Sequence, residues 1–336
     1  MSHRRLAAAF ALLLGIAVPL AAQDKDKDKG KDKDKGKDQG GKVELKWKFE
    51  KGKAFYQKMT TVTEQTMKVM NNDVKQTQKQ VFYFSWTPLE KTGDSWTIKQ
   101  RIEGVAMDID IGGSKIQYDS TKESNATNPL GEFFKALVGA EFTITLDTKK
   151  MEVTKVEGRE KFLGDLVKAN PQMKPLLDQI LSEKALKEMA EPTFAVVPDR
   201  PVAKGDHWER KSTLDMGPIG KYENTYKYTY DGKDPKDKKL DAIKVETTLT
   251  YKEPGDVAGV GGLPFKIKKA DLKSTKATGT VLFDAAKGRV ERSGAKMELS
   301  GELSIEIGGQ TTTVNLSQTQ NTDVETSETT QVPKKP

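Results

Sequence analysis

Apolar and polar residues alternate along much of the chain, which is the pattern of a β-strand with one buried face. The first run covers residues 43–49, where Val, Leu, Trp and Phe alternate with Lys and Glu. The same period returns at residues 96–98, 105–111, 222–230, 243–251 and 297–307. Short stretches rich in Asn, Asp or Gly lie between several of these runs, at residues 71–73, 92–94 and 111–115. The pattern therefore predicts antiparallel strands joined by tight turns.

A helical pattern interrupts the strands in the middle of the chain. Asn128 and Pro129 begin a stretch whose apolar residues recur at helical spacing, and Gly139 follows its end, as expected for a capped helix. A second helical stretch, residues 159–189, contains Pro171 and Pro175. Proline interrupts helices because its ring fixes φ and removes a backbone donor. This second stretch therefore predicts two or three short helices.

The resulting order of elements is β, then α, then β, which predicts an α+β fold. A sheet with one apolar face has to be covered, and the apolar helix stripes are the available cover. We expect a long, strongly curved, half-barrel-like antiparallel β-sheet with a helical plug from the middle of the chain. The β-α-β domain covers residues 43–325, with two weak repeats at about 43–157 and 193–325 around helices at 129–190. Residues 326–336 are interpreted as a disordered tail.

Two short motifs occur twice in the chain. TGDSWTI at residues 92–98 is echoed by KGDHWER at 204–210, and FTITLDTKKMEV at 142–153 by GTVLFDAAKGRV at 279–290. In the first pair the shared Gly-Asp predicts a tight turn, and the shared Trp predicts a buried anchor for the strand that follows. His207 has Ser95 as its counterpart. We therefore interpret this histidine as part of a turn rather than part of a site.

The N-terminus has the three parts of a secretory signal peptide: basic residues at 3–5, an apolar run at 6–20 and small residues at 21–22. This run is shorter than the roughly 20 residues of a membrane-spanning helix, and a retained N-terminal anchor is the alternative to cleavage after residue 22. Residues 23–42 are mostly Asp, Lys and Gly, which predicts a disordered spacer. We expect an exported protein, periplasmic or extracellular, with no transmembrane segment in the mature chain.

Charge and the scarcity of Cys and His argue against several function classes. Residues 43–336 hold 46 basic and 43 acidic groups, and this near balance predicts no nucleic-acid partner. The chain has no cysteine, and His207 is its only histidine beyond the N-terminal leader. One imidazole cannot form a zinc cluster, and no G-x-S-x-G motif supplies a serine nucleophile. We therefore expect no metal, no cofactor and no enzymatic activity.

The paired Gly-Asp-x-Trp turns, the sequence IQYDS at 116–120, and the helix PLGEFFKALVG followed by FTITLD carry a resemblance. Over residues 43–325 the chain resembles a family of uncharacterised exported bacterial proteins that carry a domain of unknown function. The resemblance implies no activity and no active site. At the level of fold alone, long strands around a helical plug are similar to the half-barrel carriers of lipoproteins and lipids in bacterial envelopes.

Three hypotheses for function remain. The first is a non-enzymatic cell-envelope protein that binds a hydrophobic or amphiphilic ligand, such as a lipid, between the curved sheet and the helices. The second is a structural or interaction scaffold that contacts an envelope protein or a wall polymer. The third is a carboxylate-dependent hydrolase, because many acidic pairs are available. The candidate apolar ligand or contact surface consists of Phe133, Phe134, Leu137, Phe162, Leu166, Val257, Val260, Leu263 and Phe265.

Overall fold

The computed structural model describes residues 41–69, 72–122, 129–254 and 265–334. The predicted signal peptide, nearly all of the predicted linker and the capping residue Asn128 lie outside these ranges. So do Val257, Val260 and Leu263 of the candidate apolar surface. Within the described ranges, no helix is both long enough and apolar enough to cross a membrane.

One antiparallel sheet of twelve strands forms most of the described chain. The strands are β1 (Phe55–Val69), β2 (Asn72–Thr92), β3 (Ser95–Ile111), β4 (Ser114–Asp119), β5 (Glu141–Asp147), β6 (Glu152–Glu157), β7 (His207–Asp215), β8 (Lys221–Lys233), β9 (Asp241–Lys252), β10 (Lys266–Asp284), β11 (Arg289–Ile307) and β12 (Gln310–Ser327). Their order across the sheet is β6-β5-β3-β2-β1-β12-β11-β10-β9-β8-β7, and β4 pairs with β3. The sheet is open, so β6 and β7 are the edge strands at the two ends of this order.

Four helices come from the middle of the chain: the first lies between β4 and β5, and the other three connect the edge strands β6 and β7. They are α1 (Pro129–Leu137), α2 (Arg159–Ala169), α3 (Lys174–Ile180) and α4 (Glu183–Phe194), with a 3₁₀ turn at Pro171–Met173. Pro171 follows the end of α2, whereas Pro175 lies in the first turn of α3, where a missing N–H costs nothing. Ser182 caps α4 because its Oγ accepts a hydrogen bond from Ala185 N at 3.2 Å. The predicted α+β class, with a large curved antiparallel sheet and helices from the middle of the chain, is confirmed.

Helix α4 bridges the edges of the open sheet and contacts both β6 and β7. On one side, Glu191 Oε2 accepts a hydrogen bond from Val153 N of β6 at 3.1 Å. On the other side, Glu188 Oε2 accepts one from Asp215 N of β7 at 3.1 Å. Unpaired edge N–H groups are sites for pairing with other chains, and covering them is a known protection. Two carboxylates of one helix therefore hold both edge strands.

The first predicted strand, residues 43–49, is an exception. Its alternation is real, since Leu45 and Trp47 are buried. Its backbone, however, forms an isolated bridge between Val43 and Val202 and a hydrogen bond from Lys48 N to the Gly288 carbonyl at 2.9 Å, and no continuous ladder among the described residues. Trp47 Nε1 instead donates to the Phe194 carbonyl at the end of α4, at 2.9 Å. An extended backbone gives a two-residue period whether or not it pairs in a ladder. This segment packs along the molecule as an extended strap and not as a sheet strand.

Candidate functional site

An apolar cavity of about 280 Å³ lies between the inner face of the sheet and helices α2 and α4. The sheet contributes aromatic and aliphatic side chains, including Met59, Phe82, Phe84, Trp86, Ile102 and Phe142. The helices and the segments that follow them contribute Phe162, Leu181, Leu186, Met189, Ala190 and Val196. A concave, mostly apolar space of this kind is the usual form of a small-molecule binding site.

The aromatic wall of the cavity comes largely from β2. Phe82 and Phe84 stack with ring centroids 5.8 Å apart and an interplanar angle of 5°. Trp86 packs edge-on against Phe194 at 5.2 Å and 87°. Its indole N–H donates to Gln57 Oε1 at 2.8 Å, which satisfies the polar atom that a buried tryptophan carries. Packing and this hydrogen bond hold the wall in one arrangement.

Five neutral polar side chains also line the cavity: Gln57, Gln100, Thr193, Tyr228 and Ser293. Among the described residues that line it, none carries a charged side chain. Gln57 is engaged, since its Nε2 also contacts Thr326 Oγ1 at 3.4 Å. Burial raises the pKa of Tyr228, so its hydroxyl stays neutral. The cavity is therefore apolar with a few uncharged hydrogen-bonding groups.

A patch of buried glutamine and threonine lies next to the cavity on the same face of β2, β1 and β12. Register pairs its members across the three strands in rows: Gln80, Thr61 and Thr322; Gln78, Thr63 and Gln320; Gln76, Gln65 and Gln318. All of them are buried. Several atoms lack a hydrogen-bond partner among the described residues, including Thr63 Oγ1 and both amide atoms of Gln65. We call these nine glutamine and threonine residues the glutamine–threonine patch. The next row toward the cavity is apolar and consists of Phe82, Met59 and Val324.

The two edge carboxylates have raised pKa values. Burial is the main cause of the raised pKa of Glu191, opposed by its hydrogen bond from Val153 and by the charge of Arg210. Burial likewise raises the pKa of Glu188, against a hydrogen bond from Asp215 and the charges of nearby lysines. Neither carboxylate lines the cavity. Both accept hydrogen bonds from the backbone of an edge strand, which is the geometry of edge caps.

His207 lies at the exposed first position of β7, after a turn in which Gly205 has φ +91°. Its ring makes no hydrogen bond or ion pair with the described part of the chain, while its backbone oxygen accepts from Arg200 Nη2 at 3.3 Å. Over the described ranges, no cluster of three or more His, Cys, Asp or Glu side chains is arranged to hold a metal ion.

The described residues of the predicted apolar surface lie in different places in the structure. Of the five predicted residues on helices, Phe162 lines the cavity. Phe134, Leu137 and Leu166 are buried in the core, and half-buried Phe133 packs on Phe134 at 5.8 Å. Phe265 is buried in a second apolar cluster, with residues of β8 to β12.

Sequence reasoning missed most of the sheet side of the cavity. The run VFYFSW at residues 81–86 is apolar on both faces, and a bulge at Tyr83/Phe84 shifts its register against β3, so no clean period marks it. Gln100 carries the clearest overlooked signal. It stands between Ile98 and Ile102, at a position where alternation places an apolar residue. A polar side chain on the dry face of a strand often marks a site.

Comparison with known families gives one match. Residues 93–290, more than half of the chain, match a family of unknown function (DUF6263). No curated protein matches the chain.

Several solved structures show a remote similarity to this chain. A structure titled for lipid–protein interactions in lipovitellin is 10% identical, with a TM-score of 0.39 over 85% of this chain and 26% of that chain. This chain thus spans about a quarter of the lipovitellin chain. DynF from the dynemicin biosynthesis pathway of Micromonospora chersina is 6% identical, with a TM-score of 0.21 over 85% of both chains. An outer membrane channel from Pseudomonas putida F1 is 7% identical, with a TM-score of 0.22 over 86% of this chain and 100% of that one. No ligand or activity transfers to this chain at such values.

Proposed function

The chain belongs to the DUF6263 family of unknown function, and we propose that it is a non-enzymatic, exported envelope protein that binds a hydrophobic or amphiphilic ligand. The observation that carries this proposal is the cavity of about 280 Å³ between the sheet and helices α2 and α4. Its size is near the lower end of small-molecule sites, which span roughly 300–1,000 Å³. That volume favours a ligand with a single chain or ring system. Export rests on the predicted signal peptide.

Helix α4 is the cover of the proposed site. It supplies Leu186, Met189 and Ala190 to the cavity wall, and its Glu188 and Glu191 bind the two edge strands. The same element therefore bridges the gap between the sheet edges and covers one side of the apolar space. Movement of α4 away from either edge would give a ligand a path into the cavity without breaking the central strand pairs.

The experiment that tests the proposal combines purification with a cavity-filling variant. The full chain is purified without detergent, extracted with organic solvent and analysed by mass spectrometry, and binding of the uncharged fluorescent probe N-phenyl-1-naphthylamine is measured. We expect Ala190→Phe to lose both the co-purified ligand and the probe, because the new ring occupies the cavity. Ala286→Phe is the matched control, since Ala286 is exposed in the turn between β10 and β11.

Two results would count against the proposal. The first is a wild-type chain that carries no extractable ligand and does not bind the probe. The second is an Ala190→Phe variant that keeps its melting temperature and binds the probe as tightly as the wild type. If Ala190→Phe does not fold, Ser293→Phe fills the same cavity from the sheet side and is measured in its place.

A further inference from the structure

Gln100 is the one amide of the cavity wall that the described residues leave unpaired. Gln100 is 9% exposed and lines the cavity, but its side chain makes no hydrogen bond with the described residues. The other amide, that of Gln57, accepts a hydrogen bond from Trp86 and contacts Thr326. A buried polar group without a partner costs free energy that a hydrogen bond to a ligand or a water recovers. The free amide therefore marks the place where the polar part of a ligand can bind.

The charge of the cavity restricts that polar part. None of the described lining residues is a Lys, Arg, Asp or Glu, so an ionised head group would be buried without a counter-charge, which is strongly unfavourable. Arg210, whose charge acts on Tyr228, is not among the lining residues. Its Nη2 is 3.4 Å from the Val197 carbonyl. An amide, by contrast, both donates and accepts, and so suits alcohols and amides.

The sheet side of the cavity between Gln100 and the glutamine–threonine patch is called the apolar floor. The strand register gives its length. Gln100 is in register with Trp86, and Trp86 with Phe55. Thr61, the nearest patch residue on β1, is six residues further along, about 20 Å at roughly 3.3 Å per residue. Between these two rows the floor is formed mainly by apolar side chains such as Phe84 and Met59. A single alkyl chain of about ten carbons is shorter than this span and therefore fits between the amide and the glutamine–threonine patch.

We infer that the cavity selects a single-chain amphiphile with a small, uncharged head group, an alcohol or an amide, which hydrogen-bonds to Gln100. The inference rests on the proposed function, because it assumes that the cavity binds a ligand. It goes further in naming the chemical class of the ligand and the residue that recognises it. The glutamine–threonine patch limits the length of the chain, since an alkyl end pressed against it gains no apolar contact.

The test is displacement of N-phenyl-1-naphthylamine from the full chain by four ligands with the same decyl chain. Decanol and decanamide have neutral heads, and decanoate at pH 8 and decyltrimethylammonium have charged ones. We expect the neutral pair to displace the probe at concentrations about tenfold lower than the charged pair. Gln100→Met keeps the length of the side chain without its hydrogen bonds, and should weaken decanol and decanamide about fivefold. It should leave the probe and the charged ligands unchanged.

Gln310→Met is the matched control, since Gln310 is exposed at the tip of β12, and it should change none of these values. The inference is wrong if the probe binds but charged ligands displace it as well as neutral ones. It is also wrong if Gln100→Met leaves decanol unaffected, which is the result expected when the amide faces water only. If the wild type does not bind the probe at all, the proposed function fails together with the inference. Gln100→Leu replaces Gln100→Met if the latter does not fold.

Discussion

The two halves of the sheet are built in opposite order from the same kinds of element. Strands β1–β6 run from the centre of the sheet to one edge, and β7–β12 run from the other edge back to the centre. Each half carries one copy of both repeated motifs, and each edge is held by a carboxylate of α4. The halves differ in what packs against the matched positions. Comparing the halves therefore shows which properties come from the motif itself and which come from the residues packed around it.

The Gly-Asp-x-Trp motif makes a turn in both halves, with glycine φ angles of +59° and +91°. The first copy forms the β2–β3 hairpin, whereas the second opens the edge strand β7. The two tryptophans are buried to different extents. Trp208 is 7% exposed and stacks on Tyr228 at 5.6 Å, while Trp96 is half-buried and packs edge-on against Phe49 at 5.8 Å. The motif determines the turn, and the surrounding residues determine how much the buried indole contributes to stability.

This difference gives the largest expected effect. Trp208→Ala should reduce the free energy of unfolding by about 3 to 5 kcal/mol, because a large buried ring is removed. Trp96→Ala should cost less, about 2 kcal/mol, since its ring already faces water on one side. Urea unfolding of both variants measures the two losses. Equal losses would show that the two anchors are equivalent despite their different exposure.

The second repeated motif forms matched hairpin turns. Asp147 accepts hydrogen bonds from two following backbone N–H groups, as does Asp284 in the other half. The fifth residue of each turn has a left-handed backbone, Met151 with φ +58° and Gly288 with φ +65°. Met151 is buried, but a Cβ at residue 288 would lie 2.6 Å from the backbone nitrogen of Lys48. The extended strap therefore requires glycine in one turn, and the core accepts methionine in the other.

Gly288→Ala should reduce the free energy of unfolding by about 3 kcal/mol, the sum of left-handed strain and a forced shift of the strap. The reciprocal change, Met151→Gly, should cost about 2 kcal/mol, because relief of strain partly offsets the loss of a buried side chain. Both are measured by urea unfolding. A loss below about 1 kcal/mol for Gly288→Ala would mean that the strap does not press on this turn in solution.

The edges offer a third matched pair, Glu191 at β6 and Glu188 at β7. Glu191→Leu leaves the Val153 N–H without its acceptor and should cost about 1 to 3 kcal/mol. Glu191→Gln keeps an acceptor oxygen and removes a partly buried charge, so at pH 8 it should melt at the wild-type temperature or about 1 to 3 °C above it. A Gln variant as unstable as the Leu variant would contradict the role of an edge cap.

The pH dependence of this pair follows from the raised pKa values. A carboxyl whose pKa is higher in the folded chain than its ordinary 4.5 stabilises the fold fully below pH 4.5. That contribution is lost as the pH rises through the folded pKa. The melting temperature of Glu191→Gln should therefore fall less than that of the wild type between pH 4.5 and pH 8. Glu188→Gln should have a weaker effect, because Lys184 lies 3.8 Å from Glu188 and offsets part of its burial. Identical slopes for wild type and Glu191→Gln would contradict this account.

Most of the fold could be predicted because burial is one-sided in most strands. β9, for example, alternates without a break from Ile243 to Tyr251, and the helices of the middle segment follow their apolar stripes. The strap at 43–49 was misassigned because alternation reports an extended backbone and not its hydrogen-bond partners. Those partners, the backbones of Val202 and Gly288, are distant in sequence and leave no local signal.

The cavity was harder to predict than the fold. Next to its floor, on β1, β2 and β12, glutamine and threonine occupy the inner face of the sheet, and mostly polar residues occupy the outer face. A strand that is polar on both faces has no period, so neither its register nor its inward side chains can be inferred. Gln57 lies on such a strand, whereas Gln100 on β3 interrupts an apolar alternation between Ile98 and Ile102. Their positions became interpretable once pairing placed them beside Trp86.

The smallest expected effect concerns the one position of the turn motif that differs between the halves, His207 and its counterpart Ser95. His207 is exposed at the edge strand and its ring has no hydrogen-bond partner in the described chain, so His207→Ser should change the free energy of unfolding by less than about 0.5 kcal/mol. Ser95 pairs with both Thr92 and Asp147, so Ser95→His adds bulk between two strands and should cost more, about 1 kcal/mol. Thermal melts and probe binding are measured on both variants. If His207→Ser abolishes probe binding while leaving the melting temperature unchanged, the histidine belongs to a site and its interpretation as part of a turn is wrong.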